Sequence, residues 1–400
     1  MLKHWSVALA LVGAFTTRPA TAADKQYGPG VTDNEIKIGQ TAAYSGPASA
    51  YGTIAKAETA YMRMVNDRGG IRGRKVNLIS LDDGYSPPKT VEQTRRLVEQ
   101  DQVLAIFDSL GTAANAAVQD YLNEKHVPHF VISGASRFTD PSRYPWTMGR
   151  IASYETEGRI YAKYTMQNIS DAKIAVLYQN DDLGKDYLKG LEAALGDRAQ
   201  NVIVKAISYE LTDPTIDSQI LALKTSGANV VVDASSPKFA AQAIRKLFEL
   251  NWRPTHFLSV TGNSITAALA PAGFDKAVGI ISSIQGKDPG DPSWASDKDM
   301  LDYFAFMKKY YPEGDPRNIL AEAGYSFGQS VAYILEECGD NLTRENLMYV
   351  ATHMRDVEFP MLLPGIKVNT SPTNYRGYNQ MQLVKFDGAR WVPFGEIMRE

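Results

Sequence analysis

The sequence of this 400-residue chain predicts an α/β protein with two doubly wound parallel-sheet lobes. Strand-like apolar segments alternate with amphipathic helical segments, which is the pattern of parallel βα units. Two proline-containing segments, 139–154 and 285–294, interrupt this alternation about one domain length apart. The alternation alone also fits a closed (β/α)₈ barrel, but the two interruptions favour two lobes.

The first 23 residues have the composition of a secretory signal peptide. Lys3 and His4 precede an apolar stretch, 5–15, and small residues lead up to Ala23. We therefore expect residues 1–23 to be removed on export. Beyond them no apolar run is long enough to span a bilayer, so the mature chain is not expected to insert into a membrane.

The charge balance disfavours a polyanionic partner. The chain has 42 Lys and Arg against 45 Asp and Glu, a net charge of −3, and it has no basic run. A nucleic-acid partner is therefore not expected. The single cysteine, Cys338, lies in a helical pattern and is interpreted as a small buried apolar group.

The first βα unit extends to the first interruption. In its first helix, Ile54, Ala57, Tyr61 and Met64 share one face, whereas the strands are short apolar runs. We predict strands at 35–41, 75–81, 103–107 and 127–132, and helices at 53–67, 88–100 and 112–125.

The second unit repeats this rhythm. We predict strands at 173–178, 201–207, 229–233, 256–260 and 277–283, and helices at 154–167, 183–195, 214–226, 237–250 and 263–270. After the second interruption, the pattern predicts helices at 295–310, 317–338 and 343–354, a strand at 363–369, and a closing hairpin, 380–394, around Asp387-Gly388.

The strongest enzymatic motif is "GYSFG", residues 324–328, which matches the G-x-S-x-G nucleophile elbow. Asp340 and His353 follow in the chain order of that hydrolase fold. However, the flanking apolar residues have helical spacing, so Ser326 is predicted inside a helix rather than at a strained strand-to-helix turn. We expect no enzyme, with a secreted serine hydrolase using Ser326 as the alternative.

No motif indicates a metal or a cofactor. His126 and His129 have no third ligand nearby in the sequence, and no phosphate-binding glycine loop is present. Asp181 and Asp182 precede a predicted helix, where N-capping and the helix dipole explain them.

Four stretches together indicate a family. "TAAYSGPASAYG", "VNDRGGIRGRKVNLISLDDGYSPPKTVEQTRRLV", "VPHFVISGAS" and "AVLYQNDDLGKDYLKGL" resemble the periplasmic solute-binding proteins of branched-chain amino acid ABC importers, the leucine/isoleucine/valine-binding proteins. The resemblance implies a type I periplasmic binding fold, with two lobes joined by three crossovers and a ligand held where they meet. Lobe 1 would comprise 34–150 plus 285–375, and lobe 2 would comprise 151–284 plus 376–400.

The resemblance also implies where a ligand carboxylate is held. The family uses a hydroxyl residue after the third strand and a small-residue loop after the fourth, which here are Thr112 and Gly134, Ala135 and Ser136. Hydroxyls and backbone N–H groups can solvate a carboxylate. These residues could instead serve only as turn and cap residues.

Aromatic residues are expected to border the same cleft. The loop from Tyr44 to Gly52 is predicted to form one wall, with Tyr44 and Tyr51 offering ring surface to an apolar ligand. Tyr85 and Tyr154 are predicted to border it as well.

Two positions in lobe 2 depart from the family pattern. A cleft tyrosine is replaced by Ser236, and the acid that neutralises the ligand's ammonium group is replaced by Thr261. We therefore predict a small carboxylate ligand without an α-amino group, such as an aromatic acid. The alternative is a branched-chain amino acid, with Asp233 or Glu155 supplying the charge.

The resemblance further implies a location and a partner. The chain would be a monomeric receptor in the periplasm that delivers its ligand to an inner-membrane ABC permease without a chemical step. Closure of the lobes on the ligand would be its mechanism.

Overall fold

The structure, a computed structural model, describes residues 25–399. The predicted signal peptide, 1–23, lies outside these residues. The strands in chain order are β1 (Gln26–Tyr27), β2 (Glu35–Ala42), β3 (Lys75–Asp82), β4 (Ile106–Leu110), β5 (His129–Ile132), β6 (Thr147–Gly149), β7 (Ile174–Gln179), β8 (Ile203–Tyr209), β9 (Val230–Ala234), β10 (Thr255–Leu258), β11 (Ile281–Ile284), β12 (Asn341–Leu342), β13 (Gln380–Phe386), β14 (Trp391–Pro393) and β15 (Met398–Arg399).

Helices separate most of these strands. The α-helices are α1 (Gly52–Asp67), α2 (Pro87–Arg95), α3 (Thr112–Glu124), α4 (Tyr154–Asn168), α5 (Asp182–Leu195), α6 (Ala199–Val202), α7 (Asp217–Lys224), α8 (Pro237–Glu249), α9 (Ala270–Ala272), α10 (Phe274–Ala277), α11 (Lys298–Tyr310), α12 (Ile319–Glu337) and α13 (Arg344–Ala351). None of the helices described is long and apolar enough to cross a membrane.

Two separate sheets organise the chain. The first is parallel and has the order β3-β2-β4-β5-β6. The second has the order β14-β13-β11-β10-β9-β7-β8, with β15 paired to β13. Its strands β7 to β11 are parallel, whereas β13 is antiparallel to both β11 and β14. The predicted α/β class with two parallel-sheet lobes is confirmed.

The chain passes between the two lobes three times. It leaves the first sheet after β6, returns after β11 to form α11 to α13, and enters the second sheet again at β13. The returning helices belong to the first lobe, because Val331, Ile334 and Leu335 of α12 share a core with Ile36 and Ile38 of β2. The three crossovers expected from the resemblance are therefore present.

Glycines allow α12 to lie directly against α1. A Cβ atom at Gly324 would come 2.2 Å from the carbonyl oxygen of Ile54, and one at Gly328 would come 2.6 Å from the Tyr61 ring. No side chain fits in these spaces. This close contact fixes α12 at the edge of the cleft between the lobes, where its N-terminal half lines a cavity.

Local predictions were wrong in several places, including the strand predicted at 277–283, which begins only at Ile281. The third strand lies at 106–110 rather than 103–107, and Asp108 within it has a positive φ of 51° where the strand register shifts. Residues 363–369 form only an isolated bridge between Val357 and Val368. The segment 263–270 is a π-helical turn, Ile265–Leu269, followed by a short helix. The first proline-containing interruption holds β6, which the pattern did not predict.

Candidate ligand-binding site

A cavity of about 220 Å³ lies where the two lobes meet. Its walls come from the carboxyl ends of β4 and β5, the start of α1, the segment after β10, the first half of α12 and the three crossovers. Ligands of open α/β sheets bind at this end of the strands. Most of the surface is apolar, and its larger aliphatic and aromatic side chains include Ile54, Leu110, Ile132, Leu183, Leu320 and Phe327.

Tyrosines form one end of the cavity, which we call the tyrosine end (Tyr51, Tyr85, Thr112, Tyr154 and Thr261). The Tyr51 hydroxyl donates a hydrogen bond of 2.7 Å to the carbonyl oxygen of Thr261, which links the first lobe to the second. Burial raises the pKa of Tyr51, Tyr85 and Tyr154, so each phenol stays neutral and can donate.

Thr112 is the hydroxyl at this end that stands at a helix N-terminus. It begins α3, is buried, and lies 2.8 Å from the Ser133 hydroxyl. A carboxylate placed here would meet the Thr112 hydroxyl and the N–H groups of the first turn of a 13-residue helix.

The small-residue loop after β5 does not line this cavity. The backbone N–H of Ser136 donates to Asp186 at 2.6 Å, and the N–H of Ala135 points to the Ser133 hydroxyl at 3.2 Å. These N–H groups therefore already have acceptors within the protein. Gly134 is packed against the carbonyl oxygen of Ala152, where a Cβ atom would lie 2.1 Å away.

The structure brings together half of the residues expected at the site. Those that line the cavity are Tyr51, Tyr85, Thr112, Tyr154 and Thr261; those that do not are Tyr44, Gly134, Ala135, Ser136 and Ser236. The Tyr44 hydroxyl pairs with Ser80 at 2.7 Å. The Ser236 backbone N–H donates to the Tyr209 hydroxyl at 3.0 Å.

The acids considered for an ammonium group lie elsewhere. Asp233 is buried 3.4 Å from His256, and Glu155 pairs with Lys189. Neither lines the cavity. Thr261 offers a hydroxyl that lies 2.8 Å from Ser259.

Asp181 is an acid whose negative charge acts on tyrosines of the tyrosine end. Its carboxylate caps α5, accepting from the Leu183 N–H at 3.0 Å, as its position in the sequence predicted. Burial raises its pKa, and its negative charge in turn raises the pKa of Tyr85 and Tyr154.

Among residues 25–399, Arg150 is the cationic side chain that lines the cavity. Its Nε lies 3.7 Å from Asp108, and its guanidinium also donates to Ser330. Burial raises the pKa of Asp108 to about 6, and burial beside Asp108 raises that of Glu58. Arg150 is thus matched by a buried acidic partner, although its Nη1 has no hydrogen-bond partner within residues 25–399.

Glu322 lies on α12 and also lines the cavity. It is 5% exposed, and its Oε1 accepts a hydrogen bond of 2.5 Å from Ser326, one helical turn further on. Burial raises its pKa to about 8, and the buried Asp288 nearby acts in the same direction. No cation lies within ion-pair distance of Glu322 in the described part of the chain, so no positive charge offsets the rise in its pKa, which favours the protonated form at neutral pH.

The hydrolase arrangement is not assembled around Ser326. This serine lies in the middle of α12, as predicted, and hydrogen-bonds only Glu322 among the described residues. Asp340 pairs with Arg74 at 2.8 Å, and His353 stacks on Tyr349. Residues 25–399 also contain no group of three side chains that could hold a metal ion.

Sequence reasoning missed Arg150 and Glu322. Both come from segments that meet the cleft only through the crossovers and the α1–α12 packing, so no local motif marks them. For Glu322 the available signal was an acid beside the buried helical positions Ala321 and Tyr325, with Ser326 four residues later on the same face.

Comparison with known proteins agrees with the fold and the sequence resemblance. A family model described as periplasmic binding protein matches residues 35–390. A Leu/Ile/Val-binding protein homolog 7 of Brucella abortus is 24% identical over 247 residues, covering 59% of this chain and 61% of the relative. The chain thus matches about three fifths of that relative's length.

Solved structures share the whole fold. A branched chain amino acid ABC transporter protein from Thermus thermophilus, with bound valine, has a TM-score of 0.81 at 17% identity and covers 92% of this chain and 98% of its own. A fatty acid ABC transporter substrate-binding protein from Thermomonospora curvata has a TM-score of 0.77 at 20% identity, covering 94% and 95%. These likenesses support the same two-lobed architecture.

Proposed function

The chain belongs to the periplasmic binding protein family, and from that premise we propose that it is the receptor of an ABC importer for a small hydrophobic carboxylate without an α-amino group. It would act in the periplasm as a monomer, after removal of its signal peptide, and would deliver the ligand to an inner-membrane permease. Aromatic acids are the preferred ligand class.

The observation that carries this proposal is the chemistry of the tyrosine end. The Thr112 hydroxyl stands at a helix N-terminus, whereas Thr261 presents a hydroxyl and a carbonyl already bonded to Tyr51. A carboxylate is stabilised by the first of these groups, and an ammonium group receives no carboxylate from the second. The apolar walls and tyrosine rings suit an aromatic or aliphatic body.

Closure of the lobes would be the functional step. The hydrogen bond from Tyr51 to Thr261 crosses the cleft, and the cavity is lined from both lobes. A ligand that contacts both lobes binds the closed state more tightly and raises its population. The permease would then distinguish the closed receptor from the open one.

A second candidate is a branched-chain amino acid, and Asp181 favours it. This acid raises the pKa of Tyr85 and Tyr154, so its field reaches the place where an α-ammonium group beside a Thr112-bound carboxylate would lie. The names of similar proteins fit both candidates, since one structure holds valine and another is described as a fatty acid receptor.

Titration calorimetry with benzoate, 4-hydroxycinnamate, leucine and valine separates the two candidates. We expect one of the aromatic acids to bind and leucine and valine to bind poorly, because stranding a buried ammonium costs about 2 to 5 kcal/mol. Micromolar leucine binding with no response to either aromatic acid would end the proposal. In that case Asp181→Asn should weaken leucine binding.

The proposal includes no chemical step. Incubation with a serine-reactive fluorophosphonate and an activated ester tests the hydrolase alternative. We expect neither labelling nor ester cleavage above the level of a Ser326→Ala variant. Stoichiometric labelling at Ser326 would contradict the receptor function.

A further inference from the structure

Glu322 and Ser326 form a polar pair one helical turn apart on the α12 wall of the cavity. Both side chains line the cavity, and the Ser326 hydroxyl donates a hydrogen bond to Oε1 of Glu322. The second oxygen, Oε2, has no hydrogen-bond partner within residues 25–399. The third crossover contributes the apolar side chains Phe359, Met361 and Leu362 to the same lining.

A structural role does not account for this pair. A buried acid that stabilises a fold is normally paired with a cation or with several N–H donors. Glu322 has one hydroxyl donor and no ion-pair partner within residues 25–399, and the buried acid Asp288 adds to the effect of burial on its pKa. An unpaired acid in a ligand cavity is instead a typical feature of a recognition site.

The pair lies on a different wall from the tyrosine end. Glu322 belongs to α12 and faces the second crossover, where a Cβ atom at Gly286 would lie 3.6 Å from Oε2. Thr112 belongs to α3. An apolar cluster that includes Tyr51, Ile54, Leu110 and Leu320 joins α1, β4 and α12, and it offers an apolar surface to a ligand body that reaches from one polar group to the other.

We propose that Glu322 and Ser326 bind a hydroxyl group at the end of the ligand remote from its carboxylate. This proposal rests on the proposed function and narrows its ligand class to hydroxylated hydrophobic acids, such as 4-hydroxyaryl acids. The ligand's hydroxyl accepts from the protonated carboxyl of Glu322 and donates to Ser326 or to the carbonyl oxygen of the same carboxyl group.

The number of available partners favours a hydroxyl over an ammonium group. An ammonium group has three N–H donors and needs about three acceptors. The pair presents three oxygens, but the protonated oxygen of Glu322 is a donor and Oε1 already accepts from Ser326, so an ammonium group finds fewer free acceptors than it needs. A hydroxyl needs one donor and one acceptor, which a protonated carboxyl provides by itself.

Matched ligands test the proposal. Calorimetry compares 3-(4-hydroxyphenyl)propionate, 3-phenylpropionate and 3-(4-aminomethylphenyl)propionate on the wild-type protein and on variants. On the wild type we expect the hydroxylated acid to bind about tenfold more tightly than 3-phenylpropionate, the effect of one buried hydrogen bond with a polar partner left unpaired in its absence. The aminomethyl acid should bind more weakly than either.

Variants assign this preference to Glu322. Glu322→Met should abolish it, Glu322→Gln should retain most of it, and Ser326→Ala should reduce it. The exposed Glu336→Gln on the same helix is the control and should leave it unchanged.

Three results would overturn the inference: equal binding of the first two acids to the wild type, a preference that survives Glu322→Met, or tightest binding of the aminomethyl acid. Equal binding leaves the proposed function intact. If leucine binds and none of the three acids does, the proposed function fails and the inference fails with it.

Discussion

Replacing Glu322 by glutamine should remove a pH-dependent contribution to folding stability. Burial raises the pKa of this carboxyl from 4.5 to about 8, with Asp288 adding to the effect and the Ser326 hydrogen bond opposing it. Between these two pH values the folded state holds a proton that the unfolded state has released. The free energy of unfolding therefore falls as pH rises through this window.

The size of the effect follows from the width of the window. One pH unit corresponds to about 1.4 kcal/mol for one proton, so two units, from pH 5.5 to 7.5, give at most about 3 kcal/mol. Glutamine keeps the size and the hydrogen-bonding capacity of the protonated acid but does not titrate. The stability of Glu322→Gln relative to the wild type should therefore increase by up to this amount over the same interval.

Urea unfolding followed by tryptophan fluorescence measures this difference. Wild type, Glu322→Gln and the exposed control Glu336→Gln are compared without ligand at pH 5.5, 6.5 and 7.5. The difference between the first two should grow with pH, whereas the control should track the wild type. A difference that stays constant within about 0.5 kcal/mol would show that Glu322 is ionised in the folded protein, and the reasoning would be refuted.

Three further perturbations test the cleft and its framework. Thr112→Val should weaken binding of the carboxylate ligand by roughly 1.5 to 3 kcal/mol without altering the circular dichroism spectrum, and an unchanged Kd by calorimetry would remove Thr112 from the site. Tyr51→Phe removes the 2.7 Å hydrogen bond to Thr261 across the cleft and should weaken ligand binding by about 0.5 to 1.5 kcal/mol. Small-angle scattering of the ligand-free variant should give a larger radius of gyration than that of the wild type. An unchanged radius and affinity would contradict that role. Gly324→Ala places a Cβ atom 2.2 Å from the Ile54 carbonyl oxygen and should lower the free energy of unfolding by about 1 to 3 kcal/mol, so unchanged thermal stability would contradict the close packing of α1 and α12.

Periodicity predicted most of the fold because most elements bury one face. Helices α1, α3 and α8 begin and end within a residue or two of their predicted bounds. It failed where tertiary contacts override the local pattern. The third strand includes Asp108, a polar residue that the pattern excluded, and its buried carboxylate lies 3.7 Å from Arg150 Nε. The segment 363–369 pairs with neither sheet, and its Val368 forms an isolated bridge with Val357.

The two ends of the cavity differ in how far they could be predicted. Thr112 and Tyr85 follow strands whose carboxyl ends meet at one edge of a sheet, so the resemblance was enough to place them near the cleft. Glu322 reaches the cavity because α12 packs against α1, a helix far from it in the sequence, and because the second crossover lies beside it. Ser136 illustrates the converse, since its N–H looked available in the sequence but donates to Asp186.

Calorimetry with three nearly isosteric ligands tests the central claim most directly. 3-Phenylpropionate carries the carboxylate, 3-phenylpropionamide lacks its charge, and phenylalanine adds an α-amino group. We predict that the acid binds, that the amide binds at least about tenfold more weakly, and that phenylalanine binds at least about thirtyfold more weakly, since no residue of the tyrosine end offers a carboxylate to its ammonium group. Phenylalanine binding as tightly as the acid, or the amide binding as tightly as the acid, would contradict a site for carboxylates that lack an α-amino group.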